Sequence, residues 1–232
     1  MTHDKVTFAE RMFEFYSSLR LDIALPQGVS VMNPYQNSKI QGYVKTFLDK
    51  FYGDNRARIL VFGINPGRFG SGITGITFTD PVALEMYCGI SNNLQKKREL
   101  SSIFIYEFAK EWGGPQKLYR DFFFTAVSPL GFVKNEKNFN FYDNASLLAD
   151  IKPFLVRSIE LQIASGATRN AAIVLGTGKI KQIFEKLNHG QIFFRTIYFL
   201  EHPRFIMQYR RSRLQEYIKK YHEVFTQALA KI

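Results

Sequence analysis

Four short apolar runs, Arg58–Ile64, Phe122–Val127, Ala171–Leu175 and Thr196–Leu200, constrain the fold of this chain more than anything else in it. Each has strand length and is bounded by turn residues. Near-continuous apolar strands belong in a parallel sheet covered on both faces, and parallel neighbours need crossover connections of a dozen residues or so. The intervening segments supply them, with helical patterning in Leu100–Trp112, Asn144–Ala164 and Lys179–Leu187. This alternation predicts an α/β fold, a four-stranded parallel sheet with helices on both faces.

Helices are also expected at both ends. The first twenty residues place Phe8, Met12, Phe13 and Tyr16 on one face, and Ile40, Tyr43, Val44, Phe47 and Phe51 do the same over Ser38–Phe51. Leu214, Tyr217, Ile218, Tyr221 and Phe225 form the apolar stripe of a basic closing helix. Leu21–Asn37, with Pro26, Gly28 and Pro34, reads as loop. No repeat or low-complexity tract divides the chain, so one domain over residues 1–232 is expected.

Charge narrows the partners. Lys and Arg number 31 against 20 Asp and Glu, a net +11, and a polycation of this kind attracts nucleic acid by releasing its counterions. The single cysteine, Cys88, excludes an intrachain disulfide and any cysteine-held cluster, and it reads as a packing residue. No metal or other cofactor is expected. No signal peptide or apolar span of membrane length is present, so a soluble, cytoplasmic or otherwise intracellular protein is expected, without membrane contact and monomeric.

The polar residues of interest stand where apolar runs end. Gly63-Ile64-Asn65-Pro66-Gly67-Arg68-Phe69-Gly70 follows the first run, and Glu201-His202-Pro203 follows the last. Ligands of open α/β sheets sit beyond the carboxyl ends of the strands, so these two ends predict a site. Gly70-Ser71-Gly72-Ile73-Thr74-Gly75 matches a dinucleotide fingerprint, but it lies past the strand rather than joining strand to helix, and Ile76-Thr77-Phe78-Thr79 after it favours extended chain. Gly176-Thr177-Gly178-Lys179 falls short of a phosphate-binding loop, because Ile173 and Ile180 replace the required glycine and hydroxyl residue. It can still offer N–H groups to a phosphate at a helix start, or be a plain turn. Phe69 and Phe78 offer faces for stacking on a planar ligand or belong to the core; spacing alone does not choose.

The motif Gly63 to Gly70, followed by Thr74-Gly75-Ile76-Thr77-Phe78, resembles the first motif of the single-strand-selective monofunctional uracil-DNA glycosylases. Leu200-Glu201-His202-Pro203 resembles their second. The resemblance implies a three-layer α/β/α sandwich of the uracil-DNA glycosylase type and a metal-free enzyme acting on DNA. Its reaction would be flipping and excising uracil or a related deaminated base, leaving an abasic site. It implies that Asn65 positions the attacking water, that His202 donates to a carbonyl oxygen of the base, and that Phe78 stacks on the ring. The Gly63–Ile64 and Phe78 backbone, with Phe69, would complete the base pocket. Gly67 stands where some members carry a tyrosine that excludes C5 substituents, which implies room for larger bases. The family's base-reading asparagine is replaced by Ala126, and Ser128, Thr125 and Asn135 are the candidates to stand in for it.

DNA contacts are expected from the basic flank of the second motif, through Arg204, Arg210, Arg211 and Arg213, with Lys179 beside them. Phe205, Ile206 and Met207 are candidates for a wedge, and Gln208 and Tyr209 could probe the groove. Lyase chemistry through Lys179 is disfavoured, since the resembled family is monofunctional. His3, His189 and His222 read as surface groups. Two other readings stay open, a non-catalytic binder of damaged or single-stranded nucleic acid and a nucleotide-binding domain.

Overall fold

The computed structural model describes residues 6–232, so His3 and the start of the first expected helix lie outside the described residues. Helix α1 (Phe8–Ser18) begins at a reciprocal cap, in which Glu10 N–H donates to Thr7 Oγ1 and Thr7 N–H donates to the Glu10 carboxylate. Strand β1 (Val29–Met32) follows, then α2 (Ser38–Tyr52), whose first amides donate to the Asn37 side chain, and β2 (Arg58–Gly63). The site loop carries a single helical turn α3 (Ser71–Thr74) and the short α4 (Pro81–Met86). Helices α5 (Leu100–Glu111) and α6 (Pro115–Asp121) lead into β3 (Phe122–Ala126) and the hairpin β4 (Gly131–Lys134) and β5 (Lys137–Phe139). The chain closes with α7 (Ala145–Ala164), β6 (Ala167–Leu175), α8 (Lys179–Gln191), β7 (Thr196–Leu200), α9 (Pro203–Tyr209) and α10 (Leu214–Leu229).

The main sheet has the order β3-β2-β6-β7, and every pairing in it is parallel. Its registers align Gly63 with Ala126 and Leu175 with Leu200, so the carboxyl ends of the strands finish together. The period-two alternation of β3 shows how both faces are covered. Phe122 and Phe124 turn to Phe225 of α10, while Phe123 turns to Phe8 of α1 and Tyr52 of α2. The core is therefore two aromatic layers separated by the sheet, with α1 and α2 on one side and α10 on the other. Cys88 is buried, as expected of a packing residue; burial pushes its thiol up to about 12, and its sulfur lies 3.0 Å from the Tyr106 hydroxyl.

Two expectations fail. The segment Leu21–Asn37 is not all loop, because Val29–Met32 pairs antiparallel with Gly131–Lys134, which pairs in turn with β5 to form a second, three-stranded sheet. That pairing joins residues about a hundred positions apart, and the hairpin turns through Asn135 and Glu136, both at positive φ (47° and 58°). Such a turn ordinarily advertises itself with a glycine, which is missing here. The extended chain expected at Ile76–Thr79 is a turn instead. Thr74 Oγ1 donates to Thr79 O at 2.6 Å and accepts from Ile76 N–H at 3.1 Å, folding the segment back on itself.

At the opposite end of the sheet Arg58 is fully buried. Its guanidinium lies over the rings of Tyr52 and Phe8 at 4.8 and 5.0 Å, donates to the carbonyls of Tyr119, Arg56 and Phe51, and meets Asp54 at 2.9 Å. Replacement by leucine strands those carbonyls without donors. We expect Arg58→Leu to lower unfolding free energy by roughly 3 kcal/mol in urea titration, while leaving the distant cavity's ligand affinity unchanged. A loss below about 1 kcal/mol would mean that these contacts are replaceable.

Candidate active site

Beyond the carboxyl ends of β2, β3 and β7 lies a cavity of about 360 Å³, within the range of small-molecule sites. It is lined by Gly63, Ile64, Asn65, Pro66 and Gly67 at the end of β2, by Ala126 at the end of β3, by Phe78, and by His202, Arg204, Phe205, Gln208 and Tyr209 after β7. The two ends singled out in the sequence thus share one cavity.

Phe78 is placed by Gly63. A Cβ at position 63 would stand 2.8 Å from Phe78 Cζ, so only glycine lets the ring lie against the end of the strand. Phe78 has φ +55°, a conformation that costs a bulky side chain energy and persists only where its surroundings enforce it. Here the surroundings are the Thr74–Thr79 turn behind it and the rings of Phe124 and His202 at 6.2 and 5.9 Å.

Asn65 is oriented by its amide nitrogen, which donates to the carbonyls of Pro66 (3.3 Å) and Phe139 (3.4 Å). The second carbonyl belongs to β5, so the small sheet fixes this side chain. Its oxygen is buried and has no partner among the described residues. A buried unpaired acceptor costs on the order of 1–3 kcal/mol, which a ligand donor or a held water would recover.

His202 caps α9 through Nδ1, which accepts the Arg204 N–H at 3.2 Å. An imidazole that accepts at Nδ1 carries its proton on Nε2. Burial, reinforced by the neighbouring Arg204 charge, pushes its pKa down to about 4. At neutral pH the ring is an uncharged N–H donor. Tyr221, on α10, donates its hydroxyl to the Glu201 carbonyl and fixes the approach to this residue.

Several expected residues do not reach the cavity. Phe69 is half-buried and does not line the cavity; the Arg68 guanidinium and the Lys97 ammonium lie over its ring, 4.5 and 4.7 Å from its centre. Ser128 is fully buried and donates to Leu130 O at 2.7 Å; Thr125 is fully buried against Gln162; Asn135 sits in the exposed β4–β5 turn. None of the three can stand in for the missing asparagine. Lys179 donates to the Tyr142 carbonyl and does not line the cavity, nor does any other lysine among the described residues. Ile206 and Met207 are core residues, which leaves Phe205, 39% exposed, as the only apolar side chain of the expected wedge in contact with solvent. Arg210 and Arg211 are exposed just outside the cavity, whereas Arg213 is paired with Glu216 at 2.6 Å. His189 and His222 are exposed, the latter against Trp112.

Six residues not singled out from the sequence as site residues also line the cavity: Ser71 and Thr77 within the motif stretches, and Glu99, Ser101, Asn138 and Asn140 outside them. Asn138 and Asn140 arrive on the hairpin that sequence patterning missed. Glu99 ends a coil and immediately precedes α5, and only tertiary folding turns its carboxyl over the glycine loop. A Cβ at Gly67 would lie 2.5 Å from Glu99 Oε1, and one at Gly70 would overlap Oε2. The room expected beside Gly67 is therefore occupied by a carboxyl group. Burial raises that carboxyl from 4.5 to about 7, with Arg204 opposing the shift and Asp80 adding to it.

The uracil DNA glycosylase superfamily model matches residues 50–226 of the chain. The crystal structure of wild-type SMUG2 from Pedobacter heparinus is similar over 96% of this chain and 98% of its own, with 40% identity and a TM-score of 0.93. Among curated proteins none matches the chain.

The raised carboxyl has a consequence for stability. A folded-state pKa above the ordinary value favours the folded protein fully below about pH 4.5, and this contribution is lost as pH rises through about 7. The gap corresponds to roughly 3 kcal/mol. His202 slopes the other way, losing stability as pH falls from 6.5 towards 4, so the comparison must be made against a variant. Glu99→Gln is expected to melt several degrees above the wild type at pH 9 and close to it at pH 5, in thermal scans at matched ionic strength. Equal melting offsets at both pH values would mean that Glu99 ionises freely in the folded protein.

Proposed function

This chain belongs to the uracil DNA glycosylase superfamily, in its single-strand-selective monofunctional branch, and from that membership we propose how its cavity divides the work. The protein is a monofunctional DNA glycosylase, a hydrolase of N-glycosyl bonds that excises uracil in base excision repair. In our reading the base leaves the helical stack, or is presented by a single strand, and enters the cavity between Asn65 and His202.

Cleaving the N-glycosyl bond puts positive charge on the sugar and negative charge on the departing base. The Nε2–H of His202 donates to a base carbonyl oxygen as that negative charge grows. A donor already neutral and held by its helix does not reorganise during the reaction, as in an oxyanion hole. Asn65 is too weak a base to deprotonate water, so its part is orientation. Its unpartnered Oδ1 accepts a hydrogen from the water and aims a lone pair at the sugar carbon. This suffices when the bond is nearly broken before attack. Phe78 stacks on the ring. The water supplies the hydroxyl that ends on the sugar, its proton passes to the departing base or to solvent, and an abasic site remains. A lining free of lysine among the described residues agrees with this outcome, because none of their amines lines the cavity to form a Schiff base with the opened sugar.

The observation that carries the role of Asn65 is its buried oxygen without a partner. For His202 it is the backbone N–H on Nδ1, which commits Nε2 to donate. Related deaminated bases with the same carbonyl edge are proposed as further substrates, and single-stranded DNA as the preferred form. Phosphates would be held by Arg204, Arg210 and Arg211, while Phe205 and Tyr209, whose rings lie 5.6 Å apart at the rim, cover the neighbouring bases.

Asn65→Ala and His202→Ala are each expected to lower uracil excision from a single-stranded oligonucleotide by roughly 100-fold or more in single-turnover assays, with alkaline cleavage of abasic sites as readout. DNA affinity should stay within a few-fold; full excision by either variant would overturn the assignment. Affinity should also fall steeply with salt, with a log–log slope of about −0.7 per phosphate held by a cation on a single strand. Arg210→Ala combined with Arg211→Ala should flatten that slope, and an unchanged slope would move the phosphate track elsewhere.

A further inference from the structure

We propose that the side-chain carboxyl of Glu99 is the group that reads the hydrogen-bonding edge of the bound base, in the place that Ala126 leaves without a polar group. The proposal deepens the reading given above and rests on it. The register pairs Ala126 with Gly63 at the ends of adjacent strands, so two neighbouring positions of the cavity's lining offer only a methyl group and a hydrogen. A base with an N–H beside a carbonyl cannot be recognised by such a surface, and its polar edge would be desolvated without partners.

Of the other amide side chains of the lining, Gln208 is exposed on α9, Asn65 keeps its free Oδ1 for the attacking water, and Asn138 and Asn140 are held by neighbours. Asn65 donates to two carbonyls, Asn138 Oδ1 accepts the Arg68 N–H at 3.0 Å, and Asn140 donates to Asp143 at 3.1 Å. Ser71 and Ser101 are buried and each offers only a single hydroxyl on a short side chain. Glu99 is different. Its carboxyl leans over Gly67 and Gly70, which lack the side chains that would exclude it, and what acts on it is desolvation and the charges of Arg204 and Asp80. Its own backbone N–H is held by Asp80 Oδ2 at 2.9 Å, which fixes the main chain while the side chain faces the cavity.

A neutral carboxylic acid presents one O–H donor and one C=O acceptor side by side, the same pattern as a primary amide. That pattern complements the N–H and adjacent carbonyl of uracil, and equally the corresponding edge of xanthine or hypoxanthine. The ionised form only accepts, and it would set negative charge against the base carbonyl. The carboxyl's shift to about 7 supports the neutral form in mildly acidic to neutral solution. The charged and titratable groups around it are Asp80 at the start of α4, Arg204 and His202 on α9, and Arg98 next to it in the chain. His202, at about 4, titrates well below this range.

The test is kcat/KM for uracil excision from a single-stranded oligonucleotide between pH 5 and pH 9, for wild type, Glu99→Gln and Glu99→Ala, with each melting curve recorded in parallel. The wild type should lose activity above about pH 7, as the donor is lost. Glu99→Gln, a permanent mimic of the neutral acid, should match the wild type within about 3-fold at pH 6 and remain level to pH 9. Glu99→Ala should lose roughly 10- to 100-fold at pH 6, while its affinity for an undamaged oligonucleotide, by fluorescence anisotropy, stays within about 2-fold. Wild-type activity in Glu99→Ala overturns the proposal. So does a fall above pH 7 in Glu99→Gln that parallels the wild type, or loss of excision at pH 6 in a Glu99→Gln protein that melts normally. A wild type inactive on uracil at every pH would overturn the proposal and the function beneath it together.

Discussion

The close approach of Phe78 to Gly63 is the contact on which the rest of the site depends. A strand that ended in any residue with a side chain would force the ring away, since a Cβ there would lie 2.8 Å from Cζ, well inside van der Waals contact. The ring in turn forms the surface against which His202 packs, and its strained backbone is retained because the Thr74–Thr79 turn and the aromatic core both enforce it. The sheet supplies the other half of the constraint. Parallel registers bring the ends of β2, β3 and β7 to one edge, so that residues more than a hundred positions apart share a cavity. Geometry this specific is set by rigid elements, and only the polar atoms are left without partners.

Desolvation then tunes the polar groups in opposite directions. The same burial that lowers the His202 imidazole to about 4 raises the Glu99 carboxyl to about 7, because each is pushed towards its uncharged form. Arg204 adds to the first shift and opposes the second, a single charge beside both walls. Between about pH 4 and pH 7 the lining is therefore largely uncharged, apart from the arginine at its mouth. An uncharged lining suits a neutral heterocycle better than a nucleotide phosphate would require, which is a physical reason to discard the nucleotide-binding alternative raised by Gly70–Gly75. The first glycine of that run, Gly70, serves instead with Gly67 as the seat of the Glu99 carboxyl, while Gly72 gives way to Met32 and Gly75 to Val44.

What could be read from the sequence was whatever local patterning carries. The four strands lie within a few residues of their expected bounds, and Thr196–Leu200 matches at both ends. Asn65 and His202 were legible because each follows a buried strand and belongs to a motif. The second sheet was not, since its strands are three and four residues long, its turn has Asn135-Glu136 in place of a glycine, and β1 lies between Gly28 and Pro34. Its loss hid Asn138 and Asn140, and also the Phe139 carbonyl that orients Asn65. Glu99 was illegible for a different reason. Nothing local marks a carboxylate ahead of a helix as a cavity residue, and its position follows from glycines some thirty residues earlier.

The distribution of cations separates holding DNA from cleaving it. The chain carries a net +11, yet among the described residues the cavity lining has one arginine, no lysine, and a carboxyl that burial shifts towards its neutral form. Charge that grips phosphates acts best at a surface, where it can displace counterions along a strand. Inside the cavity a mobile ammonium would do harm, pairing with the Glu99 carboxylate and drawing off its proton, or attacking the opened sugar. Lys179 illustrates the separation: it comes near in sequence to the end of β6, but its ammonium is tied to the Tyr142 carbonyl and rests on that ring, 5.6 Å from its centre. Keeping amines out of the pocket thus preserves both the neutral hydrogen-bonding surface that a base requires and a reaction that stops at hydrolysis.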